Sequence, residues 1–126
     1  MVVGLGTDII EIARIRNSLA RFGDRFRDRI FTPAEIAYCE SRSKGSAESY
    51  AARFAAKEAA AKALGTGISR GVSWLEIEVR RTPGHRPTLH FSDRALHHAQ
   101  RLGVTHASLS LTHSRDSALA VVILES

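Results

Sequence analysis

Apolar residues change period several times along this chain, and each change marks an element. Val2 to Ile10 is an apolar run broken by two glycines, Thr7 and one acid, Asp8, and it predicts a strand ending at about Ile9. From about Glu11 the period becomes helical, with Ile12, Ile15 and Leu19 at i, i+3 and i+7. Arg14, Arg21 and Arg25 fall at i, i+7 and i+11, and share another face if the helix runs on past Gly23. Thr32-Pro33-Ala34-Glu35 has the layout of a capping box with proline at the first helical position, opening a short helix to about Glu40. After the polar link Ser41 to Gly45, a long alanine-rich helix starts near Ala47 and stops at Gly65, a left-handed cap.

The second half reads as strands. Leu75 to Val79 alternates apolar and polar, Pro83 to Pro87 has turn chemistry, and Thr88 to Phe91 is the return strand of a hairpin. Ser92 is placed to cap a helix through about Leu102, closed by Gly103. Ala107, Leu109 and Leu111 alternate with polar residues, and Ala118 to Leu124 is the unbroken apolar run of a central strand. The pattern predicts an α+β fold, a mainly antiparallel sheet with helices packed on it.

Composition narrows the class. At 126 residues the chain is one domain, 1–126, and its 44% hydrophobic and 25% charged content is ordinary for a globular protein. No apolar run approaches the roughly 18 residues of a membrane span, and the first residues lack a basic-then-apolar leader. The one cysteine, Cys39, cannot form an internal disulfide and reads as an inert residue of the short helix; a cytoplasmic protein is expected. His97-His98 reads as a solvated pair without zinc spacing, and Trp74 as a core residue.

The net charge of +5 points to an anionic partner. Much of it lies in one segment, where Arg14, Arg16, Arg21, Arg25, Arg27 and Arg29 face only Asp24 and Asp28. Nucleic acid fits poorly, because aromatic content is 6% and no nucleic-acid motif occurs. A phosphate-cradling glycine loop would precede a helix, whereas Gly65-Thr66-Gly67 follows one.

The sharpest chemistry lies in RFAAKEAAAKALGTG, residues 53–67. Its only charges are Arg53, Lys57, Glu58 and Lys62. Arg53 and Lys57 are spaced to repel by about 0.2–0.5 kcal/mol, and Glu58 precedes Lys62 at the favourable i, i+4 spacing. A carboxylate flanked by cations suits a phosphate held partly through a metal. Asp8 is an isolated acid on an apolar strand, costly to bury without a cation. With Glu58 it can form an all-oxygen site of the kind Mg²⁺ prefers, leaving positions for phosphate oxygens.

Gly6-Thr7-Asp8, followed by Phe54-Ala55-Ala56-Lys57-Glu58 and then Lys62, Gly65, Thr66 and Gly67, resembles the 4'-phosphopantetheinyl transferases of the short bacterial type. The likeness continues through Ser110-Leu111-Thr112-His113-Ser114 and so covers nearly the whole chain. It implies transfer of phosphopantetheine from coenzyme A to a serine of an acyl carrier protein, with Asp8 and Glu58 holding Mg²⁺. Asp8, Glu58 and Lys62 are then the catalytic set. Arg53, Lys57, Lys62, Gly65, Thr66 and His113 are implied to bind coenzyme A. The serine proton goes either to Glu58 or to a metal-bound hydroxide, and the sequence leaves both open. A homotrimer with sites at subunit clefts is also implied. The arginine face of Arg14, Arg21 and Arg25 is expected to dock the acidic carrier. The rival reading is a non-enzymatic basic adaptor that binds an acidic carrier protein or another polyanion.

Overall fold

Five strands and five helices follow one another in the computed structural model, which describes residues 1–126. In chain order they are β1 (Val2–Glu11), α1 (Ile12–Phe22), α2 (Asp24–Ile30), α3 (Pro33–Glu40), α4 (Ser46–Leu64), β2 (Ile77–Arg80), β3 (Thr88–Phe91), α5 (Asp93–Arg101), β4 (His106–His113) and β5 (Ser117–Glu125). The main sheet has the order β1-β5-β4 and is antiparallel throughout, and β2 and β3 form a separate antiparallel hairpin. The expected α+β class is therefore the observed one. No helix is long and apolar enough to cross a membrane.

The apolar run in β5 does take the central position, and Ala118, Ala120, Val122 and Leu124 are wholly buried. Strand period puts Gly4, Gly6, Asp8 and Ile10 of β1 on the same face as these residues, through the pairs Gly6–Val122, Asp8–Ala120 and Ile10–Ala118. Helix α4 lies across this face. A Cβ on Gly6 would stand 1.9 Å from the carbonyl oxygen of Ala59, and one on Gly4 would stand 2.2 Å from that of Ala63. The strand has glycine where the helix backbone touches it. Ala55, Ala56, Ala59, Ala60 and Ala63 are all buried, so their small size serves contacts within the chain.

Two boundaries and one cap differ from the sequence expectation. Gly23, at φ 57° and ψ −135°, separates α1 from α2, so one continuous helical face for Arg14, Arg21 and Arg25 does not exist. The strand expected from Leu75 begins at Ile77, because Trp74–Glu76 form a 3₁₀ turn in which Ser73 N donates to Glu76 Oε1 at 3.0 Å. Ser92 stands at the N-cap of α5, but its side chain makes no capping hydrogen bond. The capping box of α3 forms as expected, with Thr32 N donating to Glu35 Oε1 at 2.9 Å and Glu35 N to Thr32 Oγ1 at 3.3 Å.

The opposite face of the main sheet is uncovered. Leu5 and Ile9 are 62% and 63% exposed, and their cross-strand partners Ile123 and Leu119 are half-buried beside Val121.

Candidate active site

From Tyr50 to Leu64, every residue of α4 is buried except Phe54, Glu58 and Lys62. These three fall at i, i+4 and i+8, one stripe along an otherwise enclosed helix. The stripe is where α4 can act on a ligand.

Strand β1 brings the second acid to it. Because Gly4 and Gly6 admit the helix backbone, Asp8, next on the same face, rises beside Lys62. Lys62 Nζ donates to Asp8 Oδ1 at 3.1 Å and to Thr7 O at 3.0 Å. Lys62 thus turns to the strand rather than to Glu58, the i, i+4 partner that spacing favours. Glu58 is half-buried, and that burial, followed by the negative charge of Asp8, pushes its pKa above the ordinary carboxylate range; Lys62 opposes the rise. Two carboxylates destabilise each other at the mouth of the site, so a cation between them would be bound favourably. No third Asp, Glu, His or Cys joins them. Two carboxylates with open positions fit Mg²⁺, which keeps waters and takes phosphate oxygens, better than a metal that needs a full protein cage.

Lys57 is a correction to the phosphate-binding set. It is wholly buried, and its ammonium group is held by Glu35 Oε1 at 2.8 Å, Trp74 O at 2.9 Å and Ile77 O at 2.6 Å. Three partners use all three protons, and none remains for a ligand. Burial pushes its pKa down, while the Glu35 carboxylate opposes this.

Arg53 is also buried, at 3% exposure, with its guanidinium 4.1 Å from the centroid of the Tyr38 ring. Its Nη1 donates to Ser49 O at 3.5 Å, and its Nε has no partner. It lines a cavity of about 160 Å³ together with Tyr38, Arg42, Arg81, Thr112 and His113. His113 ends β4, exposed, with Nδ1 3.3 Å from Ser114 O. Arg53 and His113, far apart in sequence, therefore meet at one basic cavity. Arg42 and Arg81 were not anticipated. They lie in the Ser41–Gly45 link and after β2, where no periodicity signals which way a side chain turns. The cavity's Arg53 and the stripe's Glu58 are five residues apart, about 7.5 Å of helical rise.

Gly65 and Thr66 close α4 one turn beyond Lys62. Gly65 adopts φ 83°, and Thr66 N and Gly67 N both donate to Ala61 O at 3.1 Å, so their visible role is to end the helix. Of the arginine segment, Arg27 is held by Asp24, Asp28 and Glu40, and Arg16 by Glu48. Arg14 and Arg21 stay exposed on α1. Arg25 lies beyond the Gly23 break and lines an apolar groove with Phe22, Phe26, Phe54 and Trp74. Trp74 is half-buried at the rim, stacked on Phe54 with ring centroids 4.8 Å apart, rather than deep in the core. Cys39 is fully buried, which pushes its thiol pKa up to about 12 and leaves it inert.

The geometry has close parallels. A holo-acyl-carrier-protein synthase of Koribacter versatilis is 54% identical over 125 residues, 99% of each chain, and that of Solibacter usitatus is 48% identical over the same length and coverage. The structure of the Neisseria meningitidis synthase superposes with a TM-score of 0.89 at 36% identity, covering 100% of both chains. That of Helicobacter pylori, solved in complex with coenzyme A, gives 0.84 at 34% identity, covering 96% of this chain and 99% of the other. The 4'-phosphopantetheinyl transferase superfamily matches residues 4–122, a span that holds Asp8, the α4 stripe and His113 alike, and the chain belongs to that family.

Proposed function

We propose that the chain transfers the 4'-phosphopantetheine group of coenzyme A to a serine hydroxyl of an apo acyl carrier protein in the cytoplasm, releasing adenosine 3',5'-bisphosphate. The observation that carries this reading is the meeting of Asp8, Glu58 and Lys62 at the one open stripe of α4. Relatives that bear the synthase name match 99% of the chain.

In this reading the serine oxygen attacks the phosphorus that carries the pantetheine arm, and the bond to the bridging oxygen of the pyrophosphate breaks. Asp8 and Glu58 would hold Mg²⁺, which when bound would neutralise charge developing on the pyrophosphate. Lys62, half-exposed, exchanges its contact with Asp8 for a phosphate oxygen. Arg53, whose Nε has no partner within the chain, lines the basic cavity, where Arg42, Arg81 and His113 suit a further phosphate of coenzyme A. Gly65 and Thr66 hold the last turn of α4, and with it Lys62, against the cofactor. Arg14, Arg21 and Arg25 receive the acidic carrier around the Phe22–Phe26 groove.

The uncovered sheet face supports self-association. Leu5 and Ile9, with Leu119, Val121 and Ile123 beside them, make an apolar patch of the kind an assembled partner covers. A homotrimer with sites in the clefts between subunits fits this face.

The test is incubation with coenzyme A, Mg²⁺ and an apo carrier protein, read as a mass gain on the carrier serine. Asp8→Asn should lose the transfer yet keep carrier binding. Full turnover by that variant in the presence of chelator would remove Asp8 and Mg²⁺ from the reading, and carrier binding with no transfer by the native chain would favour the basic adaptor instead.

A further inference from the structure

Lys57 occupies a position for which the transfer chemistry gives it no task. Its ammonium group is enclosed and fully used, yet it neighbours Glu58 in sequence on the helix that carries the reacting stripe. Its partner Glu35 is 1% exposed and equally satisfied, Oε1 accepting from Thr32 N at 2.9 Å and Oε2 from Val79 N at 2.8 Å. The pair therefore joins α3, α4, the Trp74–Glu76 turn and β2 at one point.

What the pair holds is specific. Two of the three bonds from Lys57 go to the carbonyls of Trp74 and Ile77, the first residue of the 3₁₀ turn and the residue that follows it. The Trp74 ring lies on Phe54 at 4.8 Å and 31°, and Phe54 is the first member of the open stripe. A chain of contacts thus runs from Lys57 through the Trp74 backbone to the ring, and back to α4 one turn before Glu58. Apolar residues of similar volume can often replace such a buried pair at no loss of stability. Directional bonds to two carbonyls add a fixed height for the turn, which apolar packing does not specify.

We propose that Lys57 is a positioning residue, whose Glu35-anchored ammonium pins the Trp74–Ile77 turn to α4 and so fixes the Phe54–Trp74 wall beside Glu58 and Lys62. This rests on the transferase reading of that stripe, but its structural part can be measured without turnover.

Trp74 is the only tryptophan in the chain, so intrinsic fluorescence has a single source. The working variant is the apolar double substitution Lys57→Met/Glu35→Met, because Lys57→Met alone leaves a carboxylate buried without its cation. Glu35→Gln is the second variant, keeping shape and the ammonium group. In both, Trp74 emission should shift to longer wavelength and become more quenchable by acrylamide. The calorimetric Kd for coenzyme A should stay within about threefold, and turnover should fall roughly 100-fold, as about 1 Å of misplacement can cause. Loss of coenzyme A affinity by tenfold or more in the double variant, with unchanged emission and with Glu35→Gln like the native chain, would make Lys57 a phosphate ligand and overturn the proposal. Native emission and native turnover in the double variant would reduce the pair to core filling and overturn it equally. If the native chain transfers nothing, the transferase reading fails, while the emission and affinity arms still decide the role of Lys57.

Discussion

Gly6→Ala adds one methyl group at the point where β1 and α4 touch, and its consequence can be worked from the contact. The added Cβ would lie 1.9 Å from Ala59 O, 2.9 Å from Ala59 C and 2.9 Å from Ala63 N, where such atoms essentially never come closer than 3.0 Å. Helix and strand must separate by about 1 Å, a displacement at which catalysis can fall about 100-fold. No flexible side chain is available to yield, because every clashing atom belongs to backbone inside a helix. Overpacking of this kind costs about 1–3 kcal/mol, occasionally more. For a domain of this size that lowers the melting temperature by about 4–11 °C.

The displacement acts where it matters most for function. Asp8 follows Gly6 on the same face, and its bond to Lys62 spans 3.1 Å from strand to helix. A retreat of the helix breaks that contact and changes the Asp8–Glu58 separation. Transfer to the carrier, followed by mass spectrometry at a temperature where the variant remains folded by circular dichroism, should drop about 100-fold. A second-site Ala59→Gly should not rescue it, since the clash is with a carbonyl oxygen rather than a methyl group. Native melting and native turnover in Gly6→Ala would refute the account of why this strand carries glycine, and rescue by Ala59→Gly would refute the backbone nature of the contact.

Other expectations are more easily stated. Because burial and Asp8 raise the proton affinity of Glu58, protons compete with Mg²⁺ there, so calorimetric Mg²⁺ affinity in the presence of coenzyme A should weaken as pH falls, beginning above the ordinary carboxylate range; pH-independent affinity down to that range would contradict it. In the metal-free chain the sign for stability follows from the same raised value: the protonated form favours folding, and stability contributed by Glu58 is lost as pH rises from the unfolded value of 4.5 through the raised one, which melting curves of native chain and Glu58→Gln would compare. Arg14→Glu/Arg21→Glu should raise the KM for the carrier roughly tenfold, at about 0.5–1 kcal/mol per exposed pair, and flatten its salt dependence while leaving the KM for coenzyme A alone. Leu5→Asp/Ile9→Asp should give a monomer by light scattering and lower transfer with it; an unchanged assembly would remove the sheet face from the interface.

The parts of the site that a reader of the sequence could place are those set by period. Glu58 and Lys62 share a face because they are four apart, and Asp8 joins them because strand parity puts it on the face of Gly6. Lys57 was misplaced for a physical reason. Alanine gives a helix no contrast between its sides, so α4 carries no amphipathic signal of which charges are enclosed, and a lysine beside Glu58 reads as exposed. Its true partner, Glu35, already had a local explanation in the capping box of α3. Both roles are real, since Oε1 accepts from Thr32 N and from Lys57 Nζ together. One carboxylate serving a cap and a buried ion pair cannot be inferred from spacing, because the second role depends on how α3 is laid against α4. The same limit hid Arg42 and Arg81, whose convergence with Arg53 and His113 is a property of how two loops close over a helix. The glycines tell the opposite story. Gly4 and Gly6 weaken a strand, and in an otherwise apolar run they stand where the α4 backbone comes close. That close approach is what sets Asp8 against Lys62, so the two residues least able to do chemistry determine where the chemistry can occur.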